Sequence, residues 1–251
     1  MEGTMAASMH LDARSLVSRI ADSLREQIIT GKLEPGMRIR QDEYAEAFGV
    51  SRTPLREAFR LLESEGWIDM RPRSGVEVSR FSSAEVQEIS VMRLLLEPLA
   101  IRVATVSHTD ADERSIRDIA RSLIVDLPSE GVGKFDSIAE ANRKFHYALY
   151  GFADEVALDP IQSGLRGYWE RYSRYRQVYW NVAHHLTHSN EDHQRILDAW
   201  LARDADLAEY ELARHILGAV RSLAYELDEH RASSFSPTLS ELAKRYDFDL
   251  P

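Results

Sequence analysis

The sequence predicts a mainly α-helical protein: an N-terminal winged helix-turn-helix of three helices and a two-stranded wing, followed by an all-α antiparallel helical bundle. Three observations predict this architecture. Apolar residues recur at helical spacing through most of the 251 residues. Strand-like alternation occurs at 67–70 and 76–78 and in no other run of strand length. Glycine and proline separate the candidate helices, and no internal repeat is present.

The first two helices are amphipathic segments that end at glycine. The first has an apolar stripe and ends at Gly31, before the Pro35-Gly36 turn; the stripe consists of Val17, Ile20, Leu24 and Ile28. The second carries Tyr44, Ala45 and Phe48 and ends at Gly49. Residues 1–13, which precede the stripe, are predicted to form a disordered leader.

The third helix carries an apolar row and a basic row. The apolar residues fall at i, i+3, i+4 and i+7 and are Leu55, Ala58, Phe59 and Leu62. The arginines recur every four residues and form a second, solvent-facing row: Arg52, Arg56 and Arg60. Ser51 is placed to cap this helix. Such a helix can lie in a DNA major groove, where arginine pairs bidentately with guanine, although a surface helix with solvated arginines has the same pattern.

After the third helix, two alternating segments surround a basic turn, Arg71-Pro72-Arg73-Ser74-Gly75. They predict a wing that touches the phosphate backbone or the minor groove. Residues 14–81 resemble the winged-helix domain of the GntR family of bacterial transcription regulators, because PGMRI, FGVSRTPLREAFRLLESEGW and RPRSGV follow in that family's order.

The resemblance implies that Arg52 and Arg56 contact an operator and that Gly75 lies at the wing tip. Asp42 stands where many members of the family carry a DNA-contacting arginine, so Arg38 or Arg40 is expected to replace that contact. The candidate DNA-binding residues are therefore Arg38, Arg40, Ser51, Arg52, Thr53, Arg56, Arg60, Arg73 and Gly75.

Composition narrows the class of protein. The absence of cysteine excludes disulfides and thiolate metal sites and is compatible with a reducing cytoplasm, where we expect the protein to act. No apolar run has the length of a membrane span. The net charge of −10 is concentrated in the second part of the chain: residues 1–81 hold 12 basic and 13 acidic residues, and residues 82–251 hold 19 and 28. A nearly neutral first domain predicts modest non-specific affinity for DNA.

The second part is predicted as a linker at 82–85, a helical domain at 86–232, and a tail at 233–251 with a short helix near 237–246. Candidate helices run near 83–107, 110–126, 134–151, 154–182, 189–202 and 204–230, and Ser189 with Asp192 is read as a capping box. Three of these helices each place one histidine on or beside an apolar stripe: His146, His193 and His215. With Asn142 one turn before His146, they fit a metal site between facing helices, although a single inward histidine is more often a hydrogen-bonded core residue.

Residues 83–230 resemble the all-helical FCD ligand-binding domain of the FadR subfamily, through RLLLEPLAIRVAT, NRKFHYAL, EDHQRILDAW and ARHI. The resemblance implies that His146, His193 and His215 bind a metal, with Asn142 where an aspartate is usual. Three neutral imidazoles suit Zn²⁺ or Ni²⁺ and leave positions for water or an effector carboxylate. The alternative is a metal-free polar pocket.

Arg93 is predicted to point inward, because it shares a helical face with Val86, Ile89, Leu96, Ala100 and Val103. A buried charge needs a partner. That partner is either Glu97, one turn on, or the carboxylate of an effector, and the effector role is also the one implied by the resemblance. Tyr168 and Tyr172, in an aromatic and basic helix, are candidates to line the effector site with Arg93 and Asn142.

These features predict a regulator, in the simplest case a repressor, that binds a pseudo-palindromic double-stranded operator as a homodimer and responds to a small organic acid. One alternative is a regulator that senses the metal itself. Another is a metal-dependent hydrolase or lyase fused to a DNA-binding head. The sequence holds no nucleophile elbow, glycine-rich phosphate loop or general-base carboxylate at motif spacing, which disfavours the enzyme.

Overall fold

The computed structural model describes residues 3–71, 75–125, 133–151, 160–179, 184–228 and 234–250. These residues form ten α-helices and three β-strands, and the chain divides into two compact units, Met1–Phe81 and Ser82–Pro251. Among the described helices, none has a segment long and apolar enough to span a membrane.

The first unit contains three helices and a small sheet, in the order α1 (Gly3–Ile29), β1 (Arg38–Ile39), α2 (Gln41–Phe48), α3 (Arg52–Ser64), β2 (Ile68–Arg71) and β3 (Gly75–Val78). Helix α3 packs against α1 and β2, and the four predicted apolar residues of α3 are completely buried. Helix α1 begins at Gly3, so the predicted disordered leader is wrong over 3–13. Alanine, methionine and leucine, which favour helix, are frequent in that segment and extend α1 backwards.

The sheet has three strands rather than the two predicted. Its order is β1-β3-β2, and both pairs are antiparallel. Ile39 in β1 lies opposite Val76, and both side chains are buried. A strand of two residues has no periodicity of its own, which is why the sequence pattern did not reveal β1.

The turn between α2 and α3 presents the basic row of α3 to solvent. Gly49 ends α2 with a φ of 64°, in the left-handed region that favours glycine. Ser51 occupies the N-cap position of α3, but its side chain makes no capping hydrogen bond. Arg52, Arg56 and Arg60 are all exposed.

The second unit is helical throughout its described residues: α4 (Ser83–Ser107), α5 (Asp110–Val125), α6 (Gly133–Leu149), α7 (Pro160–Tyr179), α8 (His184–Leu201), α9 (Ala205–Leu227) and α10 (Pro237–Lys244). Helix α4 contacts α6, α7, α8, α9 and α10, so it lies at the centre of this unit. The most deeply buried large side chains of the second unit include Arg93 of α4, Trp169 of α7 and Trp200 of α8.

Helix α4 begins at Ser83, where the sequence predicted it, whereas α8 begins earlier than predicted. The Ser82 hydroxyl accepts a hydrogen bond from the Glu85 amide at 3.1 Å, so the predicted linker at 82–85 is the cap and first turn of α4. Helix α8 begins at His184, five residues before the predicted cap at Ser189, and Asp192 therefore lies inside the helix. The ends of the helix predicted at 154–182 fall on 152–159 and 180–183, outside the described residues.

One side of α4 is apolar and exposed. The strip consists of four side chains that are 49–62% exposed: Leu95, Leu99, Val103 and Val106. Val103 was predicted to share the inward face of Arg93, which is wrong. Ten residues at about 100° each bring it roughly 80° away from Arg93 around the helix axis.

Candidate functional site

Three helices of the second unit bring His146, His193 and His215 together. One nitrogen of each ring lies within 4.8 Å of the others, although the residues come from α6, α8 and α9. His146 and His193 are buried, and the side chain of His215 is 10% exposed. Among the residues that the structure describes, this is the one group of three or more histidines or acidic residues that could bind a metal ion.

The spacing of one pair of nitrogens in the cluster fits a metal ion. The Nε2 atoms of His146 and His193 are 3.3 Å apart. Zn–N bonds of about 2.0–2.1 Å at a tetrahedral angle place two ligand nitrogens roughly 3.3–3.4 Å apart. A set of three imidazoles is also the donor chemistry that zinc and nickel accept. The residues present therefore fit the metal that the sequence predicts.

Hydrogen bonds outside the cluster set the protonation of two of the rings. Tyr150 Oη donates its only proton to Glu97 Oε2 at 2.5 Å, so it must accept from His146 Nδ1, at 3.1 Å. His215 Nδ1 lies 3.2 Å from Asp192 Oδ2, a carboxylate that can only accept when ionised. Both rings thus carry a proton on Nδ1, and in a neutral imidazole of this tautomer Nε2 is the nitrogen that can bind a metal.

Arg93 has an internal partner. Its Nε and Nη2 donate to Glu97 Oε1 and Oε2 at 2.6 and 3.2 Å, and both side chains are buried. Burial alone lowers the pKa of Arg93, but the charge and hydrogen bonds of Glu97 outweigh it and raise the pKa above its usual value. The guanidinium lies between Trp169 and Tyr172, 4.3 and 4.2 Å from the two ring centroids. The sequence left two partners open for Arg93, Glu97 or an effector carboxylate, and in the structure the partner is Glu97.

A continuous path of contacts joins Arg93 to the cluster, through Glu97 and Tyr150 to His146. Burial, and then the charge of Glu97, raise the pKa of Tyr150 well above its usual value, so the phenol keeps its proton. The charged pair and the three histidines therefore form one polar site inside the bundle.

Two donors beside this site lack an acceptor. Asn142, one turn before His146 on α6, is 1% exposed, and no described residue accepts from its Nδ2. The same holds for Trp169 Nε1, whose ring stacks on Arg93 and lies 4.8 Å from the His146 ring. A buried donor without an acceptor destabilises the protein by about 1–3 kcal/mol. Both positions favour a bound acceptor.

The sequence predicted part of this environment. Tyr172 contacts Arg93 as expected, whereas Tyr168 is half-buried on the same helix. Trp169, Tyr150 and Asp192 were missed. Trp169 lies three residues before Tyr172 and so shares its helix face, which is a signal that could have identified it. Asp192 was assigned to a helix cap instead.

The DNA-facing candidates of the first unit are placed around α3. Arg52, Thr53, Arg56 and Arg60 are exposed on one helix, directly after Ser51. Arg52 Nη2 lies 2.8 Å from Asp42 Oδ1, and Arg40 Nη1 lies 2.8 Å from Glu43 Oε1. Asp42 therefore does more than remove an expected contact, because it engages the first arginine of the basic row.

At the wing, Gly75 has a φ of 93°, which only glycine adopts readily. A Cβ at this position would lie 3.3 Å from Arg38 Nε, so the Arg38 side chain runs past the start of β3. Arg38 and Gly75 are thus neighbours on the wing. Arg73 lies outside the described residues.

Comparison with known families accounts for both units. The FCD domain matches residues 88–218, and the family described as bacterial regulatory proteins, gntR family, matches residues 16–78. The chain belongs to the GntR family. Its helical unit is an FCD domain, and this GntR-family chain is a transcription regulator rather than an enzyme, as are its relatives.

Several relatives of this GntR-family regulator are known. The HTH-type transcriptional regulator YdhC of Bacillus subtilis is 34% identical over 133 residues, 53% of this chain and 58% of that protein. A probable D-xylose utilization operon transcriptional repressor of Paenarthrobacter nicotinovorans is 28% identical over 88% of this chain and 94% of that protein. The structure of Escherichia coli McbR/YncC has the same fold, with a TM-score of 0.63 and 23% identity over 84% of this chain and 98% of that chain.

The hydrogen bonds of Tyr150 predict a stability effect in this GntR-family regulator. Replacing Tyr150→Phe leaves His146 Nδ1 without its acceptor and removes one of the three donors to Glu97, so the free energy of unfolding should fall by about 2–3 kcal/mol. Denaturant unfolding followed by circular dichroism measures this change. Tyr225→Phe, at a side chain that is 47% exposed, is the control and should change stability by less than about 0.5 kcal/mol. Equal effects of the two variants on stability would refute the hydrogen bonds assigned to Tyr150.

Proposed function

We propose that this GntR-family regulator is a repressor that binds operator DNA as a homodimer and releases it when a small organic acid binds beside a divalent metal ion in the FCD domain. The observation that carries the proposal is the path from the three histidines through Tyr150 and Glu97 to Arg93. It combines a metal-binding donor set with a buried cation in one site, which is the chemistry that a carboxylate ligand requires.

In the proposed operator complex, Arg52 and Arg56 contact base edges in the major groove, where guanine offers two acceptors to arginine. Ser51, Thr53 and Arg60 are proposed to lie near the phosphates on either side of α3, and Arg38, Arg40 and Gly75 to meet the backbone from the wing side. The first unit has almost no net charge, so its affinity depends on these placed groups rather than on bulk attraction.

The proposed metal ion is Zn²⁺ or Ni²⁺, bound by His146, His193 and His215. Asn142 is a weaker ligand than the usual aspartate, because an amide oxygen carries no charge. Its more favourable role is to donate Nδ2 to the effector, since that donor lacks an acceptor. When bound, the metal supplies a cationic centre for an oxygen of the acid.

The effector carboxylate is proposed to bind near Arg93, with Tyr168 and Tyr172 beside it. The pair with Glu97 uses Nε and Nη2, and no described residue accepts a hydrogen bond from Nη1. Trp169 Nε1 is a second donor without an acceptor beside the same guanidinium. An effector carboxylate could therefore bind at this position without breaking the ion pair between Arg93 and Glu97.

Helix α7 offers a route from the effector to the start of the FCD domain. Its Trp169 and Tyr172 hold Arg93, and one turn later Arg174 and Tyr175 bind Glu85 in α4. Burial alone raises the pKa of the Glu85 carboxyl. The hydrogen bond from Tyr175 and the charges of Arg174 and Arg171 outweigh burial, so the pKa lies below its usual value. The Ser82 amide, at the first residue of this unit, donates to Tyr175 Oη at 3.4 Å. A shift of α7 would thus reach the residue that follows the DNA-binding domain.

The strip on α4 is proposed to be the homodimer contact. Contiguous exposed apolar side chains favour an interface, and a two-fold operator requires two copies related by the same symmetry. Leu99→Glu, at the centre of the strip, should convert the dimer to a monomer and weaken operator binding. Sedimentation and fluorescence anisotropy measure the two effects, with Tyr225→Glu as the control. A Leu99→Glu protein that stays dimeric would exclude this interface.

A second candidate function is direct sensing of the metal. The observation in its favour is that Arg93 already has a partner in Glu97, so its buried charge is neutralised without an acid. In this case metal alone changes the operator affinity, and no acid has a further effect.

The operator contacts are tested with duplex DNA that the protein enriches from a random library. The double variant Arg52→Ala, Arg56→Ala should lower affinity for that DNA roughly a hundredfold or more, because each arginine contributes a bidentate contact. The double variant Arg114→Ala, Arg117→Ala removes the same charge from exposed positions of α5 and should bind normally. Undiminished binding by the first double variant would refute the assignment of α3.

The metal and the acid are tested together by anisotropy with the same DNA, using metal-free, Zn²⁺-loaded and Ni²⁺-loaded protein and a panel of sugar acids, dicarboxylates and amino acids. One acid should release DNA only from loaded protein, and by linkage DNA should weaken its binding by the same factor. His146→Ala, His193→Ala and His215→Ala should lose the bound metal on dialysis, whereas His108→Ala should retain it. Asn142→Asp should bind metal more tightly, because it adds a charged ligand.

The results separate the candidates. Arg93→Lys keeps the charge but not the planar fork, so it should raise the acid concentration needed for release while metal content is unchanged. The Tyr175→Phe protein should bind metal and acid normally, but the acid should release less DNA from it. Release by metal alone would select the metal sensor, and full metal content in all three histidine variants would refute the site.

A further inference from the structure

An exposed ion pair joins the two helices of the helix-turn-helix. Asp42, in the first turn of α2, lies with Oδ1 2.8 Å from Nη2 of Arg52, the first residue of α3. Both side chains are 72% exposed. Arg56 and Arg60 continue the same basic row, and neither pairs with a described residue. Asp42 therefore engages one arginine of three.

Folding stability does not explain this pair. Ion pairs at such exposure add little to stability, because water and salt screen the attraction and two long side chains lose freedom. On a surface that meets DNA, a carboxylate is also repelled by the phosphates. Asp42 thus lowers general affinity for DNA in a domain that already has a net charge of −1.

The chemistry of the pair suits base recognition. Arginine has five N–H donors, and the contact with Asp42 uses Nη2 alone, so most of the planar fork remains available. The major-groove edge of guanine presents two acceptors, N7 and O6, which match that fork. A carboxylate that holds the guanidinium restricts its rotation before DNA arrives. It also opposes movement of Arg52 to a phosphate, because that movement would leave Asp42 unpaired beside the backbone.

We infer that Asp42 is a specificity-determining residue of the operator interface, which orients the Arg52 guanidinium toward a guanine and away from the phosphates. The inference rests on the proposed function, since it requires that Arg52 contact the operator. It gives Asp42 a positioning role through Arg52 rather than a contact of its own.

The test uses duplex DNA enriched from a random library by the wild-type protein, with each guanine of the half-site replaced in turn. Wild type should prefer guanine at one Arg52-dependent position by roughly tenfold or more. Arg52→Ala should abolish that preference. Asp42→Asn should reduce it several-fold and, at the same time, increase affinity for unrelated duplex DNA and steepen its salt dependence.

A double-mutant cycle separates orientation from simple charge. If Asp42 acts through Arg52, Asp42→Asn in the Arg52→Ala background changes general affinity but no base preference. Glu46→Gln is the matched control, because Glu46 is exposed one turn further along α2 and pairs with no described basic residue. It removes the same charge and should leave the guanine preference intact.

The outcomes distinguish two failures. If Arg52→Ala loses the preference while Asp42→Asn keeps it in full, or behaves as Glu46→Gln does, the role of Asp42 is refuted and the Arg52 contact stands. If Arg52→Ala keeps the preference, or no sequence is enriched, the proposed operator contact fails and the inference fails with it.

Discussion

The charge of Arg93 is the constraint on which the second unit depends. A guanidinium inside a helical bundle is stable only if its charge and its donors are satisfied. Glu97 supplies the counter-charge, Trp169 and Tyr172 supply two ring faces, and Tyr150 donates to Glu97 Oε2, which also accepts from Arg93 Nη2. Because these partners come from α4, from α7 and from Tyr150 directly after α6, one buried charge ties these helices together and places a hydroxyl beside His146 Nδ1.

The two units solve opposite electrostatic problems. Inside the FCD domain, polar groups are buried and each contact is strong, so the site is built from groups that hydrogen-bond to one another. On the winged-helix unit, the arginines are exposed and screened, and selectivity has to come from their orientation. Asp42 lies beside Arg52 and Glu43 lies beside Arg40, and under the role proposed for Asp42 such carboxylates restrain cations that would otherwise bind any phosphate.

The sequence predicted features that depend on local spacing. The buried row of α3, the ends of α4 and the three inward histidines follow from a helical period that a single segment contains. Features that depend on distant partners were missed or misread. Strand β1 exists only because β3 pairs with it, and Trp169 reaches Arg93 only after α7 packs against α4. Asp192 was misread in this way. Its local spacing suggested a helix cap, and its contact with His215 on another helix was missed.

Helix α4 has a consequence for how this regulator can evolve. Ser82 and Glu85 at its start, Arg93 and Glu97 at its middle, and the strip around Leu99 all belong to one rod of 25 residues. A substitution that tilts or rotates this rod alters all three regions together. Under the proposed function, adaptation to a new effector is therefore expected to proceed through α6 and α7, which line the same site, while α4 tolerates little change. Lineages that respond to different acids should differ first at positions such as Asn142 and Tyr168.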